Sequence, residues 1–576
     1  MTNVVQTIYN IISKNISTAY IYSGGSIMPL INQLHPKNNI NKMKYFIPTN
    51  ESSAGFCSIG HNKSLNKCDS VVITTGGPGI INCLTPLADA YYDNIPFLLI
   101  SGDVSTSAKG KHSFQECNSI ALTKSITHWN YSLTNENETI SVFNNAFELL
   151  KQNKQVHINI PKDIFARNII NNDNITIESN NNLQNVNYTM EYIKKVAKII
   201  NNSPKPILCI GRGAIDASVQ VRELALKANI PVTTTLHGLG IFDEEHYLSL
   251  KWHGMHGSVI ANNAIQLSTC IICIGGRFDD RTVGSLKKYA PKAKYIIHVN
   301  NNSSEFNKVI SNTINIHGDS KKVLKDLIPH ICEKNNKIWI DNLNKLYDKN
   351  FPYDNSSLKQ QDILTILNNE LLKRSNLKIK TIITTGVGNH QMYCAQYITH
   401  KYPNKLITSG SLGTMGYGNS SAIGAKIANP NACVINIDGD GSFNQLNDLK
   451  MIMNYNIPIK IIIMNDQKLS MVHVWEKLFF DNNIVATESN NPNYNYLAQA
   501  YNIKCITIYK TMNVKYITNL IREFIDYDHN KPIILNCIIN SDYCFPLIPP
   551  GNYGLNEMIT YDNHKKYTIE KSDVPS

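Results

Sequence analysis

The chain has 576 residues, 42% hydrophobic and 17% charged, which at ~150 residues per domain suggests about three or four domains. Gly 30, Pro 22 and an odd Cys 13 exclude collagen-like, low-complexity and disulfide-scaffold classes, and no apolar run reaches the roughly 18 residues of a membrane helix. The net charge of +11 comes from single lysines scattered among Asn, Ile and Tyr, without a dense basic run, so no nucleic-acid partner is expected.

Helical periodicity begins at the N-terminus, where Met1-Thr2-Asn3-Val4-Val5 resembles neither a secretory nor an Arg-rich leader. With unpaired cysteines, this predicts a cytoplasmic protein. Val71 to Gly79, a helix through Asp89-Ala90, and Pro96 to Gly102 form a βαβ unit with a glycine loop that is neither a Walker loop nor GxGxxG. Two polar stretches, 171–187 and 342–357, read as linkers. Apolar runs alternating with helical patterns predict α/β domains with doubly wound parallel sheets at 1–170, 188–335 and 358–550, then a tail at 551–576. Cys270 and Cys273 form a CxxC inside the apolar run 270–274. Three apart on a strand they face opposite sides, so they are core residues and not joint metal ligands.

The third domain carries the strongest local signal. Ala432 to Ile437 reads as a strand ending in Asp438-Gly439-Asp440-Gly441-Ser442, followed by a helical pattern through Leu446, Leu449 and Met453, then a strand from Ile459 to Met464 ending in Asn465-Asp466. Parallel strands bring Asp440 and Asp466 to the carboxyl edge of the sheet, where open α/β folds bind ligands. Oxygen ligands there suit Mg²⁺ completed by phosphates and water, and the glycines let backbone N–H groups approach a phosphate. Read alone, GDGS is also an ordinary turn after a strand.

The GDG, the helix and strand after it and the Asn-containing end resemble the diphosphate-binding signature of thiamine diphosphate (ThDP) enzymes. Further motifs, in order, are similar to the acetolactate synthase (acetohydroxyacid synthase) large catalytic subunit family: Tyr22-Ser23-Gly24-Gly25, Phe114-Gln115-Glu116, Ile160-Pro161-Lys162-Asp163, Gly254-Met255-His256-Gly257, Arg277-Phe278-Asp279-Asp280-Arg281, Gly386 to Met392, Gly413 to Gly418 and Pro546 to Gly551. The resemblance covers nearly the whole chain. It implies pyrimidine-binding, central FAD-type and diphosphate-binding domains in that order. It implies an enzyme that decarboxylates pyruvate and joins the remaining two-carbon unit to a second 2-oxo acid, giving 2-acetolactate or 2-aceto-2-hydroxybutyrate for branched-chain amino acid biosynthesis. A homodimer or homotetramer with its site between subunits is implied too, and a small regulatory subunit is compatible with it.

Site roles transfer position by position. Glu51 would activate the cofactor's aminopyrimidine; alone it is a helix-start carboxylate favoured by the dipole. Asp440, Asp466 and the Lys468 carbonyl would hold Mg²⁺. Gly25, Gly77, Pro78, Asn82, Val387, Gly388, Asn389, His390, Gly413, Gly441, Ser442 and Met471 would line ThDP, with Met415 as the apolar prop that bends it; alone, Met415 is a core residue and His390 structural. Gln115 and Lys162 would border the substrate channel. Arg281 would receive the second 2-oxo acid's carboxylate, against the alternative of a surface Arg paired with Asp279 or Asp280, and Trp475 would meet its alkyl group.

FAD would rest on Met255, His256, Arg277, Asp279 and Asp319. The family's pattern is broken by Asp466 for a second Asn, Val474 for Gln, Gln152 for Arg, Arg212 for Gly, and Asn300 and Asn302 for acidic residues. Another ThDP-dependent 2-oxo acid decarboxylase and a non-catalytic paralogue are the rival readings; Arg281 and Trp475 weigh against the first, Glu51 and Asp440 against the second.

Overall fold

Three sheets of six parallel strands organise the chain in the computed structural model, which describes residues 2–169, 188–346, 357–374 and 380–567. Thr18–Tyr22, Lys44–Phe46, Ser70–Thr74, Phe97–Asp103, Trp129–Ser132 and Gln155–Pro161 make the first sheet, in the spatial order second, first, third, fourth, sixth, fifth. Thr381–Thr385, Leu406–Ile407, Cys433–Gly439, Lys460–Asn465, Lys504–Tyr509 and Ile533–Ile538 repeat that order in the last sheet. Between them, Pro206–Ile210, Val232–Thr234, Ser249–Trp252, Cys270–Ile274, Tyr295–Asn300 and Ile314–His317 run third, second, first, fourth, fifth, sixth. That is the order of a dinucleotide-binding sheet. The doubly wound α/β class predicted from alternating runs is the class observed.

Helices cover both faces of each sheet, so the central strands read as unbroken apolar runs. Val71-Val72-Ile73 and Ile461-Ile462-Ile463 are buried throughout. Cys270 and Cys273 join separate apolar clusters, as opposite strand faces require, and all thirteen cysteines are free. No helix of the described residues is long and apolar enough to cross a membrane.

The 171–187 stretch lies outside the described residues, as does 347–356. Residues 342–346 close the helix Lys337–Leu346, which buries Trp339, Ile340 and Leu343. The stretch beyond 551 packs onto the central domain: Leu555 and Met558 enter its apolar cluster and Glu557 pairs with Lys288 at 2.8 Å. The helical pattern expected through Leu446, Leu449 and Met453 is split. Asp440–Gln445 and Leu449–Tyr455 are separate helices, with Leu446 extended and Asp448 left-handed at φ 49°. The break turns Asp448 toward the first domain, so that its carboxylate accepts from Thr49 N–H there at 3.1 Å and from Ser420 Oγ–H of its own domain at 2.6 Å.

One apolar core runs through the first and last domains. Its seam is the crossing of helices Glu51–Leu65 and Tyr417–Ala428. A Cβ on Gly60 would overlap the Ser421 carbonyl, and one on Gly424 the Cys57 carbonyl, so glycine is what lets the backbones meet. Gly60→Ala is therefore expected to cost about 3 kcal/mol, the upper end for overpacking, read as a lowered melting temperature in thermal denaturation. An unchanged melting temperature would mean that the helices can move apart without penalty.

A buried ionic junction joins all three domains. Lys63 Nζ lies 3.4 Å from Asp93 and donates to the Thr408 carbonyl at 2.7 Å, and His237 Nε2 stands 3.1 Å from Asp93. Asp93 also accepts from the Gly410 and Ser411 N–H groups at 3.3 and 3.0 Å, while Asp89 accepts from Ser409 Oγ–H at 2.7 Å. Burial lowers the Lys63 ammonium to about 8 against the pull of Asp93. Burial pushes Asp93 up, but His237 and Lys63 hold it well below the usual carboxylate range. The junction anchors the start of the loop that carries Met415.

Candidate active site

In the last sheet the carboxyl ends of Thr381–Thr385 and Cys433–Gly439 are neighbours where the strand order reverses, the position at which open α/β sheets bind ligands. Gly386-Val387-Gly388 leaves one strand and Asp440-Gly441-Ser442 the other. The two turns interlock: a Cβ on Gly386 would overlap the Asp438 carboxylate, and one on Gly439 would lie 2.7 Å from His390 Nδ1. Gly388, at φ 144°, caps the helix Asn389–Tyr397, in a conformation that L side chains rarely adopt. Unbonded N–H groups of a first helical turn favour phosphate.

The Ser409–Gly416 loop forms the roof. Gly413, at φ 70°, sits against Val387, and the Met415 methyl is 3.4 Å from where a Cβ on Gly441 would stand. Gly416 N–H donates to Ser442 Oγ at 3.0 Å. Met415 thus stands over the glycine turn and is half-buried.

Asp440 is buried and accepts from Gly441 N–H at 2.8 Å, Gln467 N–H at 2.7 Å and Asn491 Nδ2 at 2.6 Å. Burial raises its carboxyl. Burial and then the field of Asp440 raise Asp466 to about 7, and its carboxylate accepts from Ser470 Oγ–H. Two buried carboxylates, one of them raised by the charge of the other, form an oxygen site that a divalent cation would relieve. Among the described residues no group of three His, Cys, Asp or Glu is placed to hold a metal, so phosphate oxygens would have to complete the shell, as Mg²⁺ prefers.

Three contributors escape the sequence reading. Asn491 bridges Asp440 and Asn465, yet lies in an Asn-rich stretch that gives no signal. Asp438, buried below the turn, is 3.5 Å from His390 Nε2, and neither facing atom has a hydrogen-bond partner. Burial lifts Asp438 to about 7 and lowers His390 to about 3. Asp448, as described, steadies the strand-to-helix turn before Glu51.

In the first domain, Glu51 is the first residue of its helix, capped by Asn50, whose side chain accepts from Ser53 N–H at 2.9 Å. Glu51 is only 6% exposed and accepts from Asn82 Nδ2 at 2.9 Å. Pro78 opens the helix Pro78–Asn82, and Gly77, at φ 60°, lies against the backbone of Gln115, itself at φ 64°. Lys162 is exposed at the end of its strand, its N–H donating to the Asp103 carbonyl at 3.1 Å; Gly25 is exposed and open. Within one chain no hydrogen bond or ion pair joins Glu51 to Asp440, Asp466 or Met415 among the described residues.

Arg281 is largely exposed, with Nε 3.8 Å from Asp280 and Nη1 3.6 Å from Met255 Sδ. It therefore adopts the surface pairing that was the alternative for it. Met255 also packs on the cluster of Val474, Leu478, Phe545 and Leu547, which brings Arg281 toward the helix Ser470–Phe479. There Trp475, Met471, Val472, Glu476 and Phe480 line a shallow pocket of about 200 Å³. Val474, where the family has Gln, points into the apolar cluster.

The central residues proposed for flavin already have partners. His256 Nδ1 lies 2.9 and 3.1 Å from the Cys544 and Pro546 carbonyls. Asp279 and Asp319 cap helices through Thr282 and Lys322 N–H at 3.1 and 2.9 Å. Arg277 donates to the Tyr92 carbonyl and Ser411 Oγ at 2.5 and 2.9 Å.

Comparison with known families matches residues 2–122 to "Thiamine pyrophosphate enzyme, N-terminal TPP binding domain", 193–327 to its central domain and 386–537 to its C-terminal TPP binding domain. The acetolactate synthase catalytic subunit of Saccharomyces cerevisiae, a mitochondrial protein, is 36% identical over 95% of this chain and 82% of its own. The acetolactate synthase large subunits of Lactococcus lactis and Cyanidium caldarium are each 32% identical, over 93% and 94% of this chain and 92% and 94% of their own. The chain belongs to the acetolactate synthase catalytic subunit family of thiamine pyrophosphate enzymes. The N-terminal match spans the first four strands of the first sheet, and the C-terminal match spans the last sheet apart from its first strand and the end of its sixth.

Proposed function

We propose that the chain decarboxylates pyruvate and joins the remaining two-carbon unit to a second 2-oxo acid, giving 2-acetolactate or 2-aceto-2-hydroxybutyrate. The observation that carries this reading is the switch-point site, where Met415 stands over the Gly441 turn and Asp440 and Asp466 repel one another beside it. When bound, ThDP supplies the nucleophilic carbon and the electron sink for decarboxylation.

Asp440, Asp466 and the Lys468 carbonyl would hold Mg²⁺ and through it the diphosphate, beside the N–H groups of Gly388, Asn389 and Ser442, while Gly441 N–H stays on Asp440. Glu51 exchanges a proton with the aminopyrimidine, and Asn82 fixes its carboxylate. A homodimer that sets Glu51 of one subunit across from Asp440 of the other completes the site. Gln115 and Lys162 border the approach. Arg281 swings from Asp280 to take the acceptor's carboxylate, and Trp475 packs on its alkyl group. The free cysteines suit a reducing compartment such as the cytosol. No step is assigned to flavin.

The test is to incubate the protein with pyruvate, ThDP and Mg²⁺, acidify, and measure acetoin against released CO₂. Wild type is expected to form acetoin. Arg281→Ala is expected to lower carboligation by about 10- to 100-fold, the loss of roughly 1.5–3 kcal/mol for a charged hydrogen bond, while CO₂ release continues. Acetaldehyde without acetoin from the wild type would sink the ligase reading.

A further inference from the structure

We infer that this chain works without flavin, because its own side chains and backbone occupy the central-domain crevice where a dinucleotide would lie. The inference concerns the cofactor set of the enzyme proposed above and rests on that reading for expecting flavin at all. The central sheet reverses its order between Pro206–Ile210 and Cys270–Ile274, so the turns Gly211-Arg212-Gly213 and Gly275-Gly276-Arg277 form the crevice walls. A pyrophosphate there needs free N–H groups and a gap between the turns. Neither is offered. Gly211 N–H donates to the Ile274 carbonyl at 2.9 Å, Gly213 N–H to the Gly275 carbonyl at 3.0 Å, Ala214 N–H to the Gly211 carbonyl at 3.1 Å and Gly275 N–H to the Val299 carbonyl at 2.9 Å. A Cβ on Gly211 would overlap the Gly275 carbonyl, and one on Gly213 would lie 2.8 Å from Gly275 Cα.

Arg212 puts a long cation at the centre of this turn. Its charge is attracted by Asp93 of the first domain as well as by Asp216 beside it, and repelled by Arg277. Asp93 is the same carboxylate that holds Lys63 and His237 in the three-domain junction. The positions at and just after the end of the strand Tyr295–Asn300 that are acidic in the family are Asn300 and Asn302 here. Asn300 instead donates to the Gly276 carbonyl at 3.0 Å and accepts from Asn302 N–H at 2.9 Å. Asn302 in turn accepts from Ser304 N–H and Oγ–H at 3.2 and 2.9 Å. Arg277 is spent on Tyr92 and Ser411, so it ties the Met415 loop to the central domain directly.

The chemistry leaves no need for a redox group. One carbon–carbon bond breaks to release CO₂, one forms to the acceptor's carbonyl carbon, and the new alkoxide takes a proton; no electron pair leaves the reactants.

The decisive experiment purifies the full-length protein with ThDP and Mg²⁺ from riboflavin-supplemented cells. The visible flavin band and the flavin fluorescence released by acid are then measured, and FAD is titrated into the holoenzyme. No co-purified flavin, no change in melting temperature with FAD and unchanged acetolactate formation are expected. Stoichiometric flavin, or activity that depends on added FAD, overturns the inference. The variant R212G/N300D/N302D, if folded by its melting curve, is expected to gain FAD binding by fluorescence quenching; a folded variant that gains none overturns Arg212 and the two asparagines as what closes the crevice. Flavin is read by spectroscopy, so a protein that fails to turn over pyruvate would defeat the proposed function and leave this result standing.

Discussion

Glu51→Gln is expected to lower acetolactate formation by about 10²- to 10⁴-fold, the share that a positioned acid–base group contributes, while ThDP still binds. The substitution is close to isosteric. A Gln side chain keeps an oxygen for the Asn82 Nδ2–H bond, observed at 2.9 Å, and the surrounding helix start stays capped by Asn50. What it loses is the ability to hold or release a proton at that atom. The check pairs calorimetric ThDP titration with the exchange rate of the thiazolium C2 proton in deuterated water. Exchange at the wild-type rate would show that another group activates the cofactor. Glu51→Asp adds a second reading, since withdrawing the carboxylate by about 1 Å is itself worth up to roughly 10² in rate. A Gln as active as wild type alongside a crippled Asp would mean that Glu51 acts by filling space.

The parts of this architecture legible in the sequence were those with a local signature. Apolar runs of strand length such as Ile459 to Met464, bounded by glycine or Asn-Asp turns, predict parallel strands because burial on both faces removes the alternation. The GDGS turn predicts its place at a sheet edge because parallel strands share one carboxyl end. Strand order is different in kind. That the first and last sheets follow one order and the central sheet another depends on which helix packs on which face, and no single segment encodes it.

The same limit applies to the site. Asn491 reaches Asp440 from a stretch with no periodicity, and Asp448 breaks a helix whose apolar spacing was continuous, because two inter-element hydrogen bonds outweigh local helix propensity. Arg281 pairs with Asp280 since a solvated guanidinium takes the nearest carboxylate, although such exposed pairs are worth at most about 1 kcal/mol. An acceptor carboxylate in the cleft can therefore displace it at small cost. Arg212 was visible as a departure, but only the folded junction with Asp93 shows what the departure does.

The two metal-site carboxylates are expected to respond to the same substitution in opposite measure. Asp440 spends both oxygens: one accepts from Gly441 N–H, the other from Gln467 N–H and Asn491 Nδ2. In Asp440→Asn the new amide must turn a donor toward at least one of these donors, whichever way it is flipped. Each buried donor left without an acceptor costs about 1–3 kcal/mol, and the cation loses a full charge. Mg²⁺-dependent ThDP affinity should fall more than ~100-fold, beyond what outer-shell changes at metal sites produce. Asp466 accepts from Ser470 Oγ–H and is raised by burial and by Asp440. An Asn there still accepts that hydrogen bond through its oxygen and removes the repulsion. Asp466→Asn, the residue more usual in the family, should keep ThDP affinity within about tenfold of wild type, or about 1.4 kcal/mol. Titrating ThDP at fixed Mg²⁺ into each variant decides the matter. Equal losses would mean that the two aspartates are interchangeable charges around the cation, whereas a mild Asp440→Asn would remove the switch-point turn from the metal site altogether.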